Sequence, residues 1–472
     1  MSLAKKIAYN SGFLLVGRVV TKVISLLIVV YMARYLGSED FGTYNFALSF
    51  VSLFTIISEL GLHGIVIRES SRNEDKSGSI LGNSFILSSF LSIIAFFCSV
   101  LAIGLLDYSY DTQIIVIVIS FGLLLGASLP YGIIYEISFK MKYSVFFSIA
   151  SRVVFLLAIF FVMFKDYGLM GVAIASVLAD TVHKLLMYLF SFRILRLNIK
   201  FDYDICKRLL RESLPLAFAS LFGAIYFRID IVMLSLISGN SDVGIYSGAY
   251  RLTEAFLFIP SSLMVSLFPL MSKYYKVSSE SLIFTYLRST KYILIIALLI
   301  AILSSFYADF VILTIYGVQY LESIRVLQIL IFASLIIALN FPSRELLVSI
   351  DKQKYVTLIT IICAIINICL NYMWIIKYSY IGAAVATLVT EIVYWVFAFY
   401  YIDFVPLKSI FKIFYGTVIP GVIVSAFLYV LLQIFNSILW VPIVLICYLL
   451  LIYLFGGIDN DDVNIFKKVL GR

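Results

Sequence analysis

The sequence predicts an all-α polytopic membrane protein of about 14 transmembrane helices, built as two parallel six-helix repeats followed by two further helices. Three observations predict this. Of 472 residues, 62% are hydrophobic and 13% charged, about half the charge of a soluble domain. Apolar runs recur at lengths near the ~20 residues that a bilayer crossing needs. Stretches of the first half also return, in the same order, in the second half. The composition excludes a soluble enzyme, a disordered chain and a nucleic-acid binder, because too few charges remain to cover a fold of this size in water. The net charge of +8 is loop charge rather than a nucleic-acid footprint.

Apolar runs with polar breaks place helices near 11–33, 42–66, 80–106, 113–138, 144–164, 168–192 and 212–237. They continue near 244–271, 290–308, 323–341, 355–376, 380–402, 411–432 and 437–456. The start, Met-Ser-Leu-Ala-Lys-Lys, resembles a signal-peptide n-region. The apolar stretch behind it is too long and carries Arg18 and Lys22, so it is expected to stay as the first span. The longest connections, 193–211 and 272–289, leave no room for a soluble domain. With the N-terminus in the cytoplasm, twenty-five of the 35 Lys and Arg fall inside, seven lie within spans, and only Arg34, Lys165 and Lys377 fall outside. That asymmetry obeys the positive-inside rule. One helix more or fewer would invert every later loop, so both termini are expected in the cytoplasm.

The repeat is read from three matches. Gly37-Ser-Glu-Asp40-Phe-Gly42-Thr-Tyr44 returns as Gly239-Asn-Ser-Asp242-Val-Gly244-Ile-Tyr246. Lys140-Met-Lys142-Tyr143 returns as Lys352-Gln-Lys354-Tyr355. Gly171 to Asp180 returns as Gly382 to Glu391. The offsets are nearly constant, at 202, 212 and 211. Six helices per repeat make equivalent helices run the same way, which implies lobes related by an axis along the membrane normal with a path between them. The expected division is 1–200, 201–405 and 406–472, the last holding two extra helices and a cytoplasmic tail.

Six-plus-six repeats, a basic first helix, the G-x-x-x-[FV]-G-x-Y turn after helices 1 and 7, and two added helices carry a resemblance. The chain resembles the polysaccharide-biosynthesis, O-antigen (Wzx-type) flippases of the multidrug/oligosaccharidyl-lipid/polysaccharide exporter superfamily. Multidrug (MATE) exporters and lipid II flippases are cousins. The resemblance implies MATE-like lobes in the cell membrane and export of a lipid-linked oligosaccharide of the lipopolysaccharide kind.

Charges at bilayer depth are costly unless paired or hydrated, and by default they mark a path. In the first helix, Ser11, Arg18, Lys22 and Ser25 lie on one stripe. Asn45, Ser49, Ser52 and Glu59 form another, and Ser247, Arg251, Glu254 and Ser261 a third. An offset of 202 superposes the last two, which suggests a common water-filled cleft. Arg228 is in line with Ser220 and Ser235, and Arg152 with Ser144 and Ser148. Cations in a cleft suit an anionic cargo, because arginine forks match phosphate oxygens. Arg18, Lys22, Arg152, Arg228 and Arg251 are therefore the expected substrate-binding cations. Asn45, Ser49, Ser52, Ser247 and Glu254 are the expected polar lining.

Bland readings stand beside these. Arg251 and Glu254 can neutralise each other, as can Asp180 and Lys184. Asp230 faces away from Arg228, Arg325 can reach the outer interface, and Arg68 can satisfy Glu59. Glu59, Asp180 and Glu391 are the acids available for proton or sodium coupling. Cys98, Cys206, Cys363, Cys369 and Cys447 form no CxxC pair and read as small hydrophobes. His63 and His183 are too far apart for a metal site, so no metal or cofactor is expected. Asp459 to Asp462 read as a solvated tail.

The leading reading is a flippase for a glycan on a polyprenyl diphosphate, working as a monomer by alternating access, with membrane lipids as neighbours and no nucleic acid. A multidrug or small-molecule exporter driven by protons or sodium is the alternative. An enzyme would need an acid pair or metal carboxylates on a loop, and no loop offers them. A passive scramblase leaves the repeat and the stripes without a role.

Overall fold

The computed structural model describes residues 3–435, 437–459 and 461–462, with side chains from Val16 onward. The side chains of Lys5, Lys6 and Ser11, and residues Lys467, Lys468 and Arg472, lie outside the described residues. Every regular element among them is a helix. In order these are α1 (Leu3–Glu59), α2 (Leu62–Arg72), α3 (Ser77–Gly104), α4 (Tyr110–Leu124), α5 (Leu129–Ile137), α6 (Met141–Lys165), α7 (Gly168–Ser191) and α8 (Tyr203–Ser238). They continue as α9 (Asn240–Phe256), α10 (Phe258–Val277), α11 (Ser279–Phe306), α12 (Ala308–Ile315), α13 (Ser323–Ser349), α14 (Gln353–Tyr400), α15 (Leu407–Ile434) and α16 (Trp440–Leu454). Among the described residues, eleven stretches are long and apolar enough to cross a membrane, and α16 is a shorter apolar helix. The chain is a multi-pass membrane protein. It divides into two compact units, Met1–Ser247 and Gly248–Arg472.

Two of the spanning stretches each cover two of the expected segments. Helix α1 holds 11–33 and the second segment as far as Glu59, and breaks at Gly37, with φ 76° and ψ 178°. Helix α14 holds 355–376 and 380–402 and breaks at Ser379, with φ 47°. A single residue at positive φ turns the chain without a loop, and glycine does so at little steric cost.

The repeat is written into these breaks. Gly239, the equivalent of Gly37, has φ 95° and ψ 172°. Phe139 and Asp351, 212 apart, have φ 52° and 59°. Gly168 and Ser379, 211 apart, have φ 58° and 47°. The same closing bond follows in each half, Lys140 N–H to Tyr135 O at 2.9 Å and Lys352 N–H to Leu347 O at 2.8 Å. Non-glycine residues avoid positive φ at a cost of about 1 kcal/mol or more. Their recurrence at the repeat offset shows that the two halves share backbone turns as well as letters.

The structure corrects several boundaries. The connection expected at 272–289 is helical except at Ser278, whose hydroxyl caps α11 by accepting the Ser281 N–H. Residues 62–66 do not continue the second span. Leu60 and Gly61 adopt positive φ, and α2 follows as a separate helix that buries Leu62, Ile65 and Val66. The expected span 113–138 is interrupted by a 3-10 turn, Leu125–Ser128, ahead of Pro130. In the first unit, Leu62, Ile65, Ile80, Tyr131 and Tyr135 anchor a core under α2. In the second, Val424, Leu428, Val444 and Tyr448 clamp α15 and α16 onto α11.

Candidate functional site

The first unit is closed at one end by a glycine crossing. A Cβ on Gly42 would collide with the carbonyl oxygen of Asn240, and one on Gly244 with that of Ser38. Gly42 and Gly244 are repeat equivalents, and so are Ser38 and Asn240, so the contact is reciprocal, as at a two-fold interface. A hydrogen-bonded chain holds it. The Asn240 amide donates to Thr43 Oγ1 at 3.0 Å, its oxygen accepts from Ser235 Oγ at 2.6 Å, and Ser235 meets Tyr108 OH at 2.8 Å. Phe46 stacks on Tyr108 with ring centroids 4.7 Å apart.

This closure corrects part of the expected lining. Asn45, Ser49 and Ser247 are all buried. Asn45 spends its amide on Phe41 O at 2.7 Å. Close approach of the α1 and α9 backbones has removed that end of the polar stripes from water.

Toward the other end the stripe opens. A cavity of about 520 Å³ lies between the second leg of α1 and α8. Ser52, Thr55, Glu59, His63 and Ser220 supply its polar walls. Ser52 and Glu59 were expected here from helical spacing, and Ser220 from the α8 stripe. Thr55 and His63 were not. His63 comes into place because the chain breaks at Leu60–Gly61, and its Nε2 lies 3.1 Å from Glu136 Oε1. Arg68 does not satisfy Glu59. It pairs with Glu212 and, at 3.3 Å, with Glu69, leaving Glu59 exposed at the cavity.

Arg18 and Lys22 are exposed on the first leg of α1. Val16, Val19, Val20, Val23, Leu27 and Tyr31 are also exposed on that leg, and Val19 lies within about 100° of both charges at 100° per residue. Gly17 packs on Val145 too closely for a Cβ. Arg152 and Arg228 are half-buried on α6 and α8. Asp230 is buried and accepts the Tyr246 hydroxyl. In the second unit Arg251 pairs with Glu254 at 3.2 Å. Asp180 is exposed and forms no ion pair with Lys184 among the described residues. Arg325 is exposed near the start of α13.

Glu391 sits in a buried amide network that the sequence reading missed. Only 5% of it is exposed, and Asn340 Nδ2 donates to its Oε2 at 2.9 Å. Asn371 donates to Asn367 at 2.9 Å, and Asn367 to Thr390 at 3.4 Å. The side-chain oxygens of Asn340 and Asn371 are buried without a donor among the described residues. Two asparagines one turn apart in an apolar helix, Asn367 and Asn371, were the available signal.

The tail acids are tied down by cations, and Asp462 is not solvated. Asp462 is fully buried and accepts from Lys291 Nζ at 2.5 Å, Tyr292 OH at 2.7 Å and Arg288. Asp459 takes Arg288 at 2.8 Å, and Asp461 takes it at 3.0 Å. Burial pushes the Asp459 carboxyl up. Its hydrogen bond from Arg288, the Asp462 N–H and the Lys291 charge outweigh that and hold it well below the usual carboxylate range. A depressed carboxyl stabilises the folded state above its unfolded value of about 3.9, and the gain is lost as pH falls through the folded value. Asp459 and Asp462 are therefore expected to stay docked from neutral pH down to about pH 4 and to loosen only below it. Amide exchange corrected for its intrinsic pH dependence checks this, and loosening near pH 6 would contradict it.

Helical repeats that break at equivalent residues, with a polar cavity among spanning helices, fit one class, the multi-pass membrane transporters. The chain belongs to the polysaccharide biosynthesis protein family, whose model matches residues 7–275, and thereby to the multidrug/oligosaccharidyl-lipid/polysaccharide superfamily. A second family model, MatE, matches residues 215–373. The chain is 23% identical over 402 residues to the capsular polysaccharide biosynthesis protein CapF of Staphylococcus aureus, covering 83% of this chain and 98% of that one. Among solved structures it is similar to the lipid II flippase MurJ in an inward closed conformation. There the TM-score is 0.76 at 18% identity, over 97% of this chain and 99% of that one. A multidrug resistance MATE family transporter in an inward-facing conformation gives a TM-score of 0.66 at 16% identity, over 81% and 94%.

Proposed function

We propose that the protein is a flippase that moves an oligosaccharide carried on a polyprenyl diphosphate across the cell membrane by alternating access. On this reading residues 1–200 and 201–405 are the moving lobes, 406–472 is an accessory segment, and both termini are cytoplasmic. The observation that carries it is the polar cavity of about 520 Å³ beside the second leg of α1, with Arg18 and Lys22 exposed on the first leg. The diphosphate loses its hydration on entry, and fixed cations replace it. Hydroxyls of Ser52 and Ser220 suit sugar hydroxyls. CapF and MurJ, by their names, handle capsular polysaccharide and lipid II, which supports a lipid-linked glycan as cargo. Glu391, buried beside two undonated amide oxygens, is the acid best placed for ion coupling.

One observation favours a second reading. The acid in the cavity is Glu59, and neither Lys nor Arg is in its wall, which suits a cationic small molecule. Reconstitution in proteoliposomes separates the two. A fluorescent polyprenyl-diphosphate oligosaccharide is expected to cross, and a cationic dye is not. Transport of the dye alone would replace the flippase with an exporter.

A further inference from the structure

Lys408 and Lys412 are exposed on α15, and neither has an acid partner among the described residues. They run beside an exposed apolar stripe of Leu407, Phe411 and Tyr415, the pattern of a helix facing lipid at its polar end. Lys412 and Ser409 border a cavity of about 170 Å³, closed on its other side by Arg288, Lys291 and Asp459. That volume is about five waters' share of liquid, enough for one phosphate.

The two contributing carboxylates differ. Asp462 is fully buried and ties Lys291, Tyr292 and Arg288 from behind. Asp459 is at the cavity wall, its side chain 40% exposed, and it shares the same cations, Arg288 at 2.8 Å and Lys291 at 3.4 Å. A static anchor has no need of the cavity or of an unpaired Lys412. We propose that this cavity binds a phosphate ester, the headgroup phosphate of an anionic phospholipid, which takes Lys412 and Ser409 and exchanges with Asp459 for Arg288 and Lys291. One negative charge replaces another, so the buried Asp462 contacts stay in place. Basic pockets between membrane helices are suited to such headgroups.

The full chain in nanodiscs of phosphatidylglycerol or phosphatidylcholine tests this, with lipids retained on release counted by native mass spectrometry. Phosphatidylglycerol is expected to be retained over phosphatidylcholine. Lys412→Ala is expected to lower that retention about fivefold, the usual effect of one lysine at a phosphate surface. Asp459→Asn is expected to raise it several-fold, because the competing carboxylate is gone. Displacement of phosphatidylglycerol by inorganic phosphate would keep the phosphate site and make its source soluble. Unchanged phosphatidylglycerol retention in Lys412→Ala, with the unfolding profile intact, overturns the proposal even if Asp459→Asn fails to fold.

Discussion

Gly42→Ala is expected to destabilise the protein and stop transport. The added Cβ would meet the Asn240 carbonyl oxygen and the Gly244 nitrogen. Both are backbone atoms of a helix, so no rotamer change can relieve the overlap. The α1 and α9 backbones must move apart, and overpacking of this kind costs about 1–3 kcal/mol. Separation also stretches the Asn240–Thr43 and Ser235–Asn240 hydrogen bonds, so the closed end leaks. Gly244→Ala strikes Ser38 O in the reciprocal position. The double variant should cost less than the two singles together, because both break one crossing. Gly223→Ala, with nothing within 4 Å of its Cβ, should be neutral or slightly stabilising, as alanine is the better helix former. Thermal unfolding in detergent and glycan translocation in vesicles measure both effects. Normal stability and transport in Gly42→Ala would show that the crossing is not a closure.

On the proposed flippase reading, Arg18→Ala and Arg228→Ala are each expected to abolish glycan export while the protein stays in the membrane. A desolvated diphosphate needs fixed donors in place of water. Removing one partner of such a pair costs about 3–5 kcal/mol, or more than a hundredfold in occupancy. Lysine at either position should restore only part, since a point charge replaces a two-pronged fork. Lys76→Ala should do little, because Lys76 is an exposed cation that water and salt already screen. Export at the normal rate by both arginine variants, at normal expression, would remove the cationic mechanism and bring the exporter forward.

The two sets of variants probe different links. Gly42 acts through backbone approach, and Arg18 through charge. Glycine variants should lower the unfolding temperature, whereas Arg18→Ala should not, because Arg18 is exposed on the helix surface. A common loss of both would mean that the arginine is structural.

Much of the fold was legible because its signals are local. An apolar run announces a span, and a repeated Gly-x-x-x-[Phe/Val]-Gly-x-Tyr announces a repeated turn. Gly37 and Gly239 adopt the same backbone conformation. Helical spacing also placed Ser52 and Glu59 on one face, and that face is where the cavity opens. Spacing could not say where along the stripe water ends. Asn45 and Ser49 share the periodicity of Ser52 and Glu59, yet they are buried, because Gly42 lets another helix approach beside them.

By itself the sequence determined that this chain spans the membrane many times and is built twice from one plan. These follow from composition and from periods of a few residues. Only the tertiary structure decided which charges are paired. Arg288 and Asp462 are 174 residues apart in the chain, Asn340 and Glu391 are 51 apart, and His63 meets Glu136 across 73. No local pattern encodes such meetings. A carboxylate reads the same in sequence whether a tail leaves it in water or folds it onto a buried lysine, and the difference is set by which helix end it reaches.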